Sequence, residues 1–153
     1  MAYKIPVSVL VVIHTPRLQV LLLERANHPG FWQSVTGSLD RLDEPLEDTA
    51  VREVFEETGI ECTREQLVGW DIVNTFEIFP LWRHRYAPGV EQNLEHVFSL
   101  QLALPQPVRL AGAEHTAYTW LPWEQAAEKC FSDRKSTRLN SSRIQKSRMP
   151  SSA

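Results

Sequence analysis

The sequence predicts an α/β fold in which helices pack on a mixed β-sheet, and three observations predict it. Residues 7–13 (VSVLVVI) are nearly continuously apolar and β-branched, the pattern of a strand covered on both faces. Residues 45–58 carry apolar side chains at helical spacing, with Leu46, Ala50 and Val54 recurring every fourth position. Further strand-like runs follow that helix, and a second helix closes the pattern. Such an order indicates mixed layers rather than an all-helical or all-strand domain.

Each element follows from local chemistry. After the first strand, Thr15, Pro16 and Arg17 form a turn, and residues 20–23 resume as a second strand. Residues 26–30 end on Pro29 and Gly30 and read as a loop, 31–36 as one short strand, and 37–43 as a loop. Pro45 suits the first turn of the helix, where its missing N–H is not needed, and Gly59 suits the stop. Strands are expected at 68–78, 81–86, 95–102 and 117–121, and a second helix at 122–130. No internal repeat is present.

The bulk properties limit the function classes. The chain has 153 residues, 42% of them hydrophobic and 23% charged, which suits one domain over residues 1–134. No apolar run approaches the roughly 20 residues a membrane span needs. Cys62 and Cys130 are the only cysteines, and no secretion signal precedes them, so reduced thiols and a cytoplasmic location are expected. Residues 135–153 hold five basic residues, no acid and six serines, without apolar periodicity. They are expected to be a disordered, non-native tail that replaces a lost C-terminal helix. Without that tail, 11 basic residues face 19 acidic ones. An acidic body does not favour nucleic-acid backbones, and it does suit a protein that gathers divalent cations.

The strongest chemical signal is GSLDRLDEPLEDTAVREVFEETGI, residues 37–60. On a helix, Glu53, Glu56 and Glu57 stand at i, i+3 and i+4 and share a face. Three carboxylates so close repel one another unless cations lie between them, and hard cations such as Mg²⁺ take oxygen ligands. Acids alone would read more readily as a solvated helix face. The spacing decides the matter: Glu44, seven residues, then Arg52, Glu53, Val54, Glu56, Glu57, Gly59 and Ile60 in register.

That spacing resembles the Nudix box, G-x5-E-x7-R-E-U-x-E-E-x-G-U with U aliphatic, and the chain is similar to Nudix hydrolases. It departs at the front, where six residues separate Gly37 from Glu44 and Asp43 occupies the expected Glu position. This reads as a one-residue loop insertion. The resemblance implies an α/β/α sandwich, with Glu53 and Glu57 as main metal ligands and Glu56 assisting. It also implies that Arg52 pairs with Glu44 to brace loop against helix, and that Gly37 lets the loop pass close to metal or phosphate. Residues 31–38, 76–79 and 83–90, with Glu114, His115, Tyr118, Trp120 and Leu121, resemble the branch of the family that acts on dihydroneopterin triphosphate. By position, that branch implies substrate contacts at Lys4, Arg25, Thr36, Phe76, Glu77, Ile78, Phe79 and Ser132, and a further metal ligand at Glu114. His84 and His115 are expected to be structural hydrogen-bonders.

The chemistry so implied is hydrolysis, assisted by Mg²⁺ or Mn²⁺, of a small-molecule triphosphate to its monophosphate and pyrophosphate, an early step of bacterial folate synthesis. Glu53 or Glu114 would serve as general base. Two other readings share the residues: a Nudix enzyme that trims nucleoside triphosphates, and a catalytically silent Nudix-like binding module. No membrane or nucleic-acid partner is expected.

Overall fold

The computed structural model describes the backbone of residues 3–137 and the side chains of residues 3–130. Its elements run β1 (Val7–His14), β2 (Gln19–Arg25), β3 (Trp32–Gln33), β4 (Val35–Ser38), α1 (Leu46–Thr58), β5 (Leu67–Glu77), β6 (Gln92–Gln101), β7 (His115–Pro122) and α2 (Trp123–Thr137). Short 3₁₀ turns lie at Arg64–Gln66 and Pro80–Arg85.

The sheet is mixed. Its main path is β3-β2-β1-β6-β5, with β4 also paired to β1 and β7 to β2. Among the described residues only β1 and β6 run parallel; the other pairs are antiparallel. Side chains alternate faces along a strand. Val9, Val11 and Ile13 therefore pack toward Ala50 and Val54 of α1, while Leu10 and Val12 pack toward Ala126 and Cys130 of α2. Both faces of β1 are covered, which is why its sequence is apolar without alternation. The result is a sheet between two helices, the expected sandwich.

Several expectations needed correction. The expected single strand at 31–36 is two strands: β3 pairs with β2, and β4 pairs with β1 through Ser8↔Ser38, Val9↔Gly37, Leu10↔Thr36 and Val11↔Val35. The chain changes partner at Ser34, so Gly37 and Ser38, expected in a loop, belong to β4. The expected strand at 81–86 is the 3₁₀ turn Pro80–Arg85. Pro80 pre-sets its first φ, and Trp82 N–H→Phe79 O (2.8 Å) and Tyr86 N–H→Arg83 O (3.0 Å) close it. The helix α2 extends through Thr137, so residues 135–137 of the expected disordered tail are helical; residues 138–153 lie outside the described residues. No described helix is long and apolar enough to cross a membrane.

Candidate active site

α1 sets the acids at fixed intervals. It starts after Pro45 and ends at Gly59, whose φ of 77° lies in the left-handed region and whose N–H bonds Phe55 O at 2.8 Å. Glu53 and Glu57, one turn apart, are buried beneath β4, at 9% and 4% exposure. Glu56 differs: its side chain is 55% exposed and meets Arg52 at 3.5 Å. The three carboxylates thus occupy two environments, with two acids inside and one at the rim.

β4 lies directly over the buried pair. A Cβ on Gly37 would overlap the Glu53 carboxyl group, so any side chain here must displace that carboxylate or lift β4. The neighbouring Thr36 N–H bonds the Glu57 carboxylate. From the other side, the turn before β7 brings Glu114 and His115 toward Glu57. One ligand atom from each of Glu57, Glu114 and His115 lies within 4.8 Å of the others.

The electrostatics are those of a site built for a cation. Burial raises the Glu53 pKa and Arg52 opposes it, while Glu56 and Glu114 raise it further, giving about 7. Burial, then the fields of Glu53 and Glu114, hold Glu57 well above the ordinary carboxylate value. Glu57 Oε1 is buried with no hydrogen-bond partner among the described residues. Two adjacent buried acids, one with an oxygen that lacks a donor, fit a hard divalent cation, which takes oxygen ligands and cancels the repulsion. Burial, then the charge of Arg25, lowers the His115 pKa to about 4, so its ring is neutral at physiological pH. Its Nδ1 has no partner among the described residues, and its Nε2 sits 3.5 Å from Gln33 Nε2. That placement brings His115, read from sequence as structural, within reach of the acid cluster.

Arg52 braces the loop to the helix. It donates to both Glu44 oxygens (3.1 and 3.0 Å), to Ser38 O (3.1 Å) and to Glu53 Oε2 (3.0 Å). Glu44 also accepts the Asp40 N–H at 2.8 Å. These bonds, Arg52 first, pull the Glu44 pKa down to about 2. Burial works against the Arg52 charge, but Glu44, Glu53 and Asp40 outweigh it and raise its pKa. Ahead of Glu44 the loop makes a turn closed by Glu44 N–H→Arg41 O at 3.1 Å. Arg52→Ala leaves the buried Glu44 without its counter-charge and is expected to cost about 3 kcal/mol. Urea unfolding at neutral pH measures it; a loss under about 1 kcal/mol would show that the brace is not structural.

A cavity of about 650 Å³ opens from these acids. Lys4, Arg25, Thr36, Gly37, Phe76, Glu77, Ile78, Phe79 and Glu114 all line it, together with Arg52, Glu53, Glu56 and Glu57. Arg25 is held on its wall: its guanidinium lies 4.9 Å from the Trp82 ring centroid, and it bonds Asn27 Oδ1 at 3.0 Å and Gln33 Oε1 at 3.4 Å. Lys4 Nζ lies 5.8 Å over the Tyr86 ring. Partial burial, then Arg85 and Arg25, push the Lys4 pKa down. Ile78 is the least available candidate, because its N–H bonds Glu91 O and its C=O already accepts from Arg83. Gly59 caps the helix and is absent from the cavity wall. Ser132 falls on α2, and its side chain lies outside those described.

Sequence reasoning missed several wall residues: Ser8, Trp82, Arg85, Asn93 and Glu95. A signal existed for two of them. Asn93 and Glu95 continue the inward alternation of Val97 and Ser99 along β6, so polar residues stood at core-facing positions.

Residues 4–139 match the model of the NUDIX domain. The chain is 47% identical to dihydroneopterin triphosphate diphosphatase of Escherichia coli K12 over 137 residues, 86% of this chain and 89% of that protein. It is 37% identical to the Haemophilus influenzae protein of the same name, over 84% and 81% of the two chains. The solved structure of the E. coli dihydroneopterin triphosphate pyrophosphohydrolase superposes with a TM-score of 0.77 at 43% identity, covering 88% of this chain and 94% of the other. Nudix enzymes use divalent metal ions as a rule. The chain belongs to the NUDIX family.

Proposed function

We propose that this protein is a dihydroneopterin triphosphate diphosphatase, which hydrolyses its substrate to dihydroneopterin monophosphate and pyrophosphate. The observation that carries the reading is one cavity joining the buried Glu53 and Glu57 to the aromatic side chains Phe76, Phe79 and Trp82. Phosphate chemistry and ring recognition thereby share one enclosure. The 47% identity to the E. coli enzyme supports the same substrate.

In this mechanism Glu53, Glu57 and Glu114 would hold the divalent ion, Mg²⁺ with Mn²⁺ as alternative, and Glu56 would assist from the rim. When bound, the ion polarises phosphoryl oxygens and makes bound water easier to deprotonate. The chain's own groups do the rest. Arg25 and Lys4, which line the same cavity, meet the negative charge of the triphosphate. Arg25 is already oriented by Trp82, Gln33 and Asn27, so little ordering is needed on binding. A carboxylate oxygen of Glu53 or Glu114 takes the proton of the attacking water. The water oxygen bonds to phosphorus, the anhydride P–O bond breaks, and pyrophosphate leaves. Arg52, through Glu44 and Ser38, holds Glu53 and the loop in place during this step.

A competition assay tests the assignment. Dihydroneopterin triphosphate, dATP, GTP and oxidised dGTP are supplied at equal concentration with Mg²⁺, and each monophosphate is followed. The pterin substrate is expected to win by roughly 5- to 150-fold in kcat/KM, the margin of one or two buried polar contacts. A nucleotide that wins clearly transfers the chain to nucleotide hydrolysis. No pyrophosphate release from any substrate would make it a binding module.

A further inference from the structure

The cavity contains a buried acid that the phosphate chemistry does not use. Glu95 is 2% exposed, lines the cavity and forms no ion pair among the described residues. Its single hydrogen bond there is a long one, from Asn74 Nδ2 to Oε1 at 3.4 Å. Pairing explains its placement. Glu95 on β6 faces Ser8 on β1 and Asn74 on β5, and Asn93 faces Phe76. Alternation puts all of these on one face of the sheet. Asn93 Nδ2 ties the row together by donating to Ser8 Oγ at 2.8 Å. A carboxylate buried with so few donors is costly unless a ligand supplies them.

We propose that Glu95 and Phe76 form the subsite that selects the substrate's ring. Glu95 accepts the parallel N3–H and 2-amino hydrogens of a 2-amino-4-oxopyrimidine edge, and Phe76 covers the ring face. This rests on the reading of the chain as a pterin triphosphate hydrolase. Charge fixes the direction in which the substrate lies, since a second carboxylate beside the triphosphate would repel it. Position agrees: Glu95 and the acids of α1 line the same cavity, so one elongated substrate reaches both. The two parallel N–H groups match the two carboxylate oxygens in a fork. Adenine presents an acceptor beside a donor on the corresponding edge and leaves one oxygen facing a lone pair. Guanine shares the fork, so the subsite separates pterin and guanine together from adenine.

The test combines kinetics with binding that needs no metal. With Mg²⁺, Glu95→Gln is expected to lower the selectivity for dihydroneopterin triphosphate over dATP, and for dGTP over dATP, by about 10- to 100-fold. The metal-free wild-type protein, titrated by fluorescence, is expected to bind pterin at least about tenfold more tightly than lumazine, whose 2-oxo group replaces the 2-amino donor. That titration stands whether or not the variant folds. Unchanged selectivity in a folded variant, or equal binding of pterin and lumazine, overturns the subsite. If the wild-type enzyme instead prefers dATP, the pterin hydrolase reading falls, and the dGTP-to-dATP ratio with the pterin–lumazine pair still decides the role of Glu95.

Discussion

Glu57→Gln is expected to lower turnover at saturating Mg²⁺ by on the order of 100-fold or more, since even outer-shell partners of a metal are worth 10- to 100-fold. The same change is expected to raise the melting temperature of the metal-free protein. Both effects have one origin. Glu57 is 4% exposed, faces Glu53 and Glu114, and has an oxygen without a donor among the described residues. Its charge serves the cation and costs stability without one. The sign of the pH dependence follows. Glu53 and Glu57 bind protons more tightly in the folded chain than at their ordinary value of 4.5, Glu53 holding its proton up to about 7. Stability from these groups is therefore full below the ordinary value and is lost as pH rises through the folded one. Metal-free wild type should melt at falling temperature across that window, Glu57→Gln should flatten the slope, and divalent ion should restore wild type most at the alkaline end. Calorimetry with and without Mg²⁺, beside turnover, reads all three. Near-wild-type turnover, or no change in slope, would sink the role given to Glu57.

Gly37→Ala is expected to reduce kcat by about 100-fold, the cost of displacing a reacting group by roughly an ångström. The added methyl would occupy the space of the Glu53 carboxyl group. Relief requires β4 to lift from α1 or the carboxylate to swing away, which also strains its bond to Arg52 at 3.0 Å. The discriminating readout is metal affinity, measured by titration calorimetry: it should weaken together with kcat, while the melting temperature of the metal-free protein moves by only a few degrees. A variant with wild-type metal affinity would show that Glu53 does not hold the ion where the close approach of Gly37 places it.

What could be read in the sequence was what local periodicity encodes. The apolar run of β1, the helical spacing of Leu46, Ala50 and Val54, and the terminal Gly59 each depend on near neighbours, and α1 lies within a residue of its expected start. The acids of α1 were legible for the same reason, since spacing along one helix determines their relative positions. The misses depend on distant pairing. Nothing around Ser34 signals that the chain leaves β2 for β1. Pro80 did signal a break, yet the apolar and aromatic residues Leu81, Trp82 and Tyr86 suggested a strand. Glu95 and Asn93 acquire meaning only when β6 lies beside β1 and Ser8 comes into reach. The burial that separates Glu57 from Glu56 arises from β4 crossing the helix, a contact between elements rather than a property of either.

The four residues of β4 also act as a proofreader of folding. A slip of one position against β1 would bring Thr36 or Ser38 over the Glu53 carboxyl group in place of Gly37, and would turn the inward residues of the strand outward. Short strands are ordinarily the ones whose alignment is weakly specified. Here a misaligned strand would also have to displace the Glu53 carboxyl group, so the close packing that positions the acid adds to the cost of slipping. The contact that sets the site therefore also helps to set the alignment of the strand above it.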